Sequence, residues 1–70
     1  VSPGHVGVAD RIVLLPGGRV WFVELKTAKG RLTSLQKLFA ADMRRMGMNY
    51  IVIRSKKEVD QWILKQIPAI

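Results

Sequence analysis

Two runs of β-branched and aromatic residues, "RIVLL" (11–15) and "RVWFVEL" (19–25), stand on either side of "PGG" and limit the folds open to this chain more than any other feature. Runs of this kind around a glycine-rich turn predict an antiparallel hairpin. The register follows from the loop. If "PGG" is a three-residue loop, Leu15 faces Arg19 and Asp10 stands directly opposite Glu24, and a five-residue loop keeps that pairing. A two-residue "GG" turn would slip the strands by one and send the two carboxylates to opposite faces of the sheet.

The rest of the chain extends this hairpin into an α/β unit. "VSPGHVG" (1–7) is irregular by composition. "TSLQ", Thr33 to Gln36, has the form of a capping box, and a helix with Leu35, Leu38, Phe39, Met43 and Met46 as its inner face should follow and stop at Gly47. "NYIVIR" (49–54) reads as a third strand. "SKKE", Ser55 to Glu58, is a second capping box, opening a helix with Val59, Trp62, Ile63 and Ile67 inside and Pro68 at its end. Strand–helix–strand over 19–54 is a crossover whose strands run parallel. The expected fold is a mixed β-sheet, hairpin plus parallel crossover strand, flanked by helices. Both tryptophans belong to this core, Trp21 under a helix and Trp62 in a helical stripe.

At 70 residues the chain is at most one domain, near the size at which a single core barely holds a fold. It has no cysteine, so neither a disulfide nor a thiolate metal site can help. No apolar run reaches the roughly 18 residues of a membrane span. Nor does the start look like a signal peptide, and a soluble, intracellular protein is expected, cytoplasmic if bacterial or phage-encoded. The net charge of +7 points to a polyanionic partner. Basic residues are spread over strands, loops and both helices rather than gathered on one amphipathic face, which favours nucleic acid over membrane.

Against that charge, two of the five acids lie in runs that otherwise read as strand. Cross-strand partners have Cβ atoms roughly 4.5–5.5 Å apart, and like charges there are destabilising unless something offsets them. A divalent cation would. Glu24 and Lys26 project to the same face by strand alternation, so two carboxylates and an ammonium share one end of the sheet. Mg²⁺ is typically held by one or two carboxylates together with substrate phosphates, and Lys26 beside it can orient or help deprotonate a water and stabilise phosphate charge. The plainer reading is a Glu24–Lys26 surface ion pair, with Asp10 merely starting its strand.

"GVAD", "VWFVELK" and "GRLTSLQ", in that order and spacing, resemble the motifs of the VRR-Nuc domain, a branch of the PD-(D/E)XK nuclease superfamily. The resemblance runs from about Ser2 to Val59. It implies a restriction-endonuclease-like core and phosphodiester hydrolysis dependent on Mg²⁺ or Mn²⁺. Asp10 and Glu24 would be metal ligands, with the backbone carbonyl of Leu25 as a further ligand; Lys26 would be the catalytic lysine, and Gln36 the motif glutamine. Ala9 stands where the family more often has proline. Family members also carry an N-terminal helix with a metal-binding acid and a first strand ahead of the "SPG" loop. This chain starts at that loop, so residues 1–70 are expected to be a single but N-terminally truncated nuclease domain, which bears on its activity. Small stand-alone members resemble Holliday-junction resolvases that act as homodimers, so branched DNA is the implied substrate and a homodimer the implied assembly.

Several residues carry two readings. Gln36 is both capping residue and motif residue. His5 is a contact to the scissile phosphate or simply loop. Lys29 and Arg31, flanking Gly30, are backbone contacts to DNA or a solvated loop. Lys37, Arg44 and Arg45 fall on the outer side of the first helix, where a DNA-facing surface would lie. Asp42, within the apolar arc, is either paired with Arg45 at the edge or part of a contact with a second chain. The rival function is a non-catalytic nucleic-acid-binding module, and a third is an assembly subunit. Binding alone gives no reason to set Asp10 against Glu24, and assembly alone leaves the charge unexplained.

Overall fold

The computed structural model describes residues 9–67; the segment 1–7 with His5, and Pro68 as the stop of the last helix, lie outside the described residues. Strands β1 (Arg11–Leu15) and β2 (Arg19–Leu25) form the expected hairpin, with Leu15 opposite Arg19 and Arg11 opposite Val23. Pro16, Gly17 and Gly18 make the loop, in which Gly17 and Gly18 have φ of 84° and 72°, a region that side chains disfavour. Asp10, one step beyond the ladder, therefore falls opposite Glu24.

Helix α1 (Ser34–Arg45) opens on a complete capping box: the Gln36 N–H donates to Thr33 Oγ1 at 3.1 Å, and the Thr33 N–H donates to Gln36 Oε1 at 2.9 Å. It ends in a Schellman turn. Gly47, at φ 72°, donates to the Arg44 carbonyl at 3.1 Å, and the Met48 N–H donates to the Met43 carbonyl at 2.8 Å. Strand β3 (Asn49–Ile53) then pairs parallel to β2, with Phe22 opposite Tyr50 and Glu24 opposite Val52, in the sheet order β1-β2-β3. Ser55 caps α2 (Lys56–Gln66) by accepting from the Glu58 N–H at 3.1 Å. The return half of this second box differs from expectation: Glu58 Oε1 takes the Arg54 N–H at 2.9 Å, one residue upstream of the cap. Arg19 ties the start of β2 to the end of α2, donating to Gln66 Oε1 at 3.1 Å and to the Gln66 carbonyl at 2.7 Å.

The sheet has a helix on each side. On one side Trp62 of α2 meets Trp21 edge to face at 5.3 Å and completes a core with Val23 and Ile53, which Val13, Ile51 and Val59 surround. On the other, Phe39 of α1 stands edge-on to Phe22 and Tyr50 at 6.1 and 6.0 Å, with Ala40 and Met43 buried beside it. The inner faces are narrower than periodicity suggests. Leu35, Leu38 and Met46 of α1, and Ile63 and Ile67 of α2, remain exposed. Helix α1 lies over β3, leaving the same side of β1 uncovered, where Ile12 and Leu14 are 60% and 75% exposed. A three-stranded sheet is too small to cover both helical stripes. No helix among the described residues is long and apolar enough to cross a membrane.

Candidate active site

Strand alternation sends Phe22 and Glu24 of β2, and Lys26 just past its end, to the α1 side of the sheet, together with Tyr50 of β3. Because β2 is the central strand and α1 covers that side, Glu24 is only 1% exposed, the one buried charged side chain among the described residues. Its Oε1 is buried without a hydrogen-bond partner among them. Burial, then a hydrogen bond with Asp10, then the Asp10 charge push the Glu24 carboxyl up to about 7, against the smaller opposing pull of Lys26. A buried carboxyl with a spare oxygen beside a second carboxyl is costly to leave without a counter-charge.

Asp10 is exposed and sits at a bend, its Oδ2 accepting from the Leu25 N–H at 3.2 Å, so it also closes the open end of the hairpin. The Leu25 backbone is thereby drawn to the carboxylate pair. Lys26 is half-buried and its N–H donates to the Ile53 carbonyl at 3.0 Å. It makes no ion pair with Glu24; the ion pair among the described residues joins Asp42 and Arg45 on α1, the edge pairing anticipated for Asp42. Gln36 has its Oε1 committed to the capping box, leaving its amide N–H groups without a described partner.

Of the basic residues singled out, Lys29 and Arg31 are exposed on the β2–α1 connection, and Lys37 and Arg44 on α1. Arg45 is exposed too, but is shared with Asp42. Tyr50 was read from the sequence only as a strand residue. Its hydroxyl is buried without a described partner, and burial first, then the Glu24 charge, raise its pKa, with Arg44 opposing and Asp10 adding a smaller rise. The signal for it was its parity: in a parallel pairing of β2 and β3, Tyr50 joins the Glu24 side of the sheet. No group of three or more His, Cys, Asp or Glu that could hold a metal ion occurs among the described residues, so the two carboxylates are the acidic oxygen donors of the candidate site.

Over 56 residues the chain is 41% identical to a protein named "Putative nuclease p44" from Acyrthosiphon pisum secondary endosymbiont phage 1, an alignment that covers 80% of this chain and 60% of that relative. No family model matches the chain, and no solved structure matches it.

Proposed function

We propose that this chain is the core of a divalent-metal-dependent DNA endonuclease of the VRR-Nuc kind. The observation that carries the reading is Glu24: a buried carboxyl with an oxygen that has no partner among the described residues, set across the hairpin from Asp10 and one alternation from Lys26. An all-oxygen donor set of this kind fits a hard cation such as Mg²⁺ or Mn²⁺. Asp10, Glu24 and the Leu25 carbonyl would hold it, and when bound it would supply Lewis acidity toward a phosphodiester.

The remaining chemistry belongs to the chain's own side chains. Lys26 orients the attacking water and balances charge that develops on the phosphate. The Gln36 amide, whose oxygen is held by its capping bond, would be available to donate to substrate. Lys29, Arg31, Lys37 and Arg44 engage backbone phosphates along the duplex, with Arg45 adding charge beside Asp42. A pure binding module has no use for a buried carboxyl set beside a second one, whose repulsion lowers stability without strengthening contact with phosphate.

We take branched DNA, Holliday junctions included, as the substrate class, and a homodimer as the working assembly. Two sites related by a two-fold axis suit symmetrical cutting of a junction, and the uncovered Ile12 and Leu14 on β1 supply apolar surface for pairing with a second copy. The phage relative supports a nuclease in general terms; the branched substrate and the homodimer rest on the resemblance to the three motifs. The test is cleavage of labelled junction, flap and linear duplex DNA by the full chain with Mn²⁺, with Mg²⁺ and with chelator. Metal-dependent cutting that favours junctions is expected. Tight binding with no cutting in either metal would replace the nuclease with the non-catalytic binding module.

A further inference from the structure

The connection from β2 to α1, residues 26–33, has no regular structure but is tightly held. The Gly30 N–H donates to the Thr27 carbonyl at 3.1 Å, closing a turn. The turn is close enough that a Cβ at Gly30 would stand 2.9 Å from Thr27 Oγ1. Arg54, the residue after β3, lies across it: its Nη1 donates to the Thr27 carbonyl at 3.1 Å and also to the Gly30 carbonyl. Both ends of the turn are thus pinned by one guanidinium nitrogen. Arg54 is itself fixed from α2, because its N–H donates to Glu58 Oε1 at 2.9 Å.

Arg54 has no carboxylate partner at its guanidinium among the described residues, and its Nε and Nη2 are not taken by any of them. Neutral carbonyls do not cancel its charge, and Lys29 and Arg31 project from the turn it holds. A turn fixed in advance lowers the ordering cost when a polyanion arrives.

We infer that Arg54 is a positioning residue that holds the 27–31 turn so that Lys29 and Arg31 meet a nucleic-acid phosphate backbone in a single geometry. The inference rests on the nucleic-acid part of the proposed function and not on cleavage. It gives Arg54 an effect that passes through two other residues, which simple loss of one charge does not have.

A double-mutant cycle reads that coupling. Binding of the full chain to a fluorescein-labelled duplex of about 20 base pairs is followed by anisotropy in chelator, for the wild type, Arg54→Met, the Lys29→Ala/Arg31→Ala pair and the combination. Arg54→Met and the pair should each weaken binding about tenfold, and the combination should be no weaker than either by more than about twofold. Lys37→Ala, on α1, serves as the control whose effect multiplies with that of Arg54→Met. Multiplying effects of Arg54→Met and the pair, or wild-type affinity for Arg54→Met, overturn the inference. Melting curves accompany every variant. If Arg54→Met does not fold, Arg54→Lys, which keeps the charge without the planar fork, replaces it in the cycle with the same expected coupling, and wild-type affinity for that variant overturns the inference. Wild-type cleavage in Mn²⁺ is measured in parallel. A coupled cycle without cleavage removes the nuclease reading alone; cleavage with an additive cycle removes this inference alone; and no binding by the wild type removes both.

Discussion

Replacing Glu24 by Gln should make the metal-free fold more stable at neutral pH, and the gain should disappear in mild acid. The Glu24 carboxyl rises from an ordinary 4.5 to about 7 in the folded chain, so between those values the native state holds a proton that the unfolded state has released. Stability therefore falls as pH rises through this window, is fully reduced above pH 7, and is unaffected by this group below 4.5. At about 1.4 kcal/mol per pH unit, the penalty above pH 7 is roughly 3 kcal/mol, a large share of what a domain of this size has to spare. Burial raises the value most, the neighbouring Asp10 raises it further, and Lys26 lowers it. Gln mimics the protonated acid and carries no such titration. The assay is urea unfolding of wild type and Glu24→Gln in chelator from pH 4.5 to 8.5. The two curves should meet at the acid end and diverge to roughly 3 kcal/mol at the other, the wild type being the less stable. Parallel curves, or a wild type that gains on the variant as pH rises, would refute the assignment of Glu24 as a strained, buried acid.

The other expected outcomes concern the site and its surroundings. Asp10→Asn and Glu24→Gln should each abolish cleavage while duplex binding persists, and Lys26→Ala should abolish cleavage yet leave Mn²⁺ binding measurable by calorimetry; unchanged turnover in any of the three would remove that residue from the site. Tyr50→Phe keeps the ring against Phe39 and deletes a buried hydroxyl with no described partner, so it should be neutral or stabilise by up to about 1 kcal/mol, and a loss above that in thermal melts would mean the hydroxyl is satisfied. Light scattering at micromolar concentration should report a dimer that Leu14→Lys weakens, because Leu14 is 75% exposed on an uncovered strand; a monomer that stays monomeric with junction DNA present would end that proposal.

Much of this arrangement was legible in the residues. Counting across "PGG" was enough to set Asp10 opposite Glu24, because strand parity leaves few options, and "TSLQ" marked the start of α1 to the residue. Depth of burial was not legible. Alternation assigns Glu24 to a face but cannot say how closely a helix lies over it, and that depends on Phe39 standing against Phe22 and Tyr50. For the same reason Leu35 and Leu38 looked interior: helical periodicity describes a stripe and is blind to the width of sheet beneath it. The bonds from Arg54 to Thr27 and Gly30 span more than twenty positions and exist only because the crossover brings β3 back beside β2.

Glu24 and Asp10 differ in what restrains them, and this gives the carboxylate pair an uneven stiffness. Glu24 lies on a strand bonded on both sides, so its backbone is freed only when the sheet itself opens. Asp10 lies past the last rung of the ladder, held to β2 by a side-chain bond to the Leu25 N–H. One member of the pair is therefore a fixed wall and the other a jaw that can fray open on its own. A ligand that bridges them acts mainly on the jaw: it should slow amide hydrogen exchange around residues 9–11 strongly while leaving the already protected centre of β2 almost unchanged.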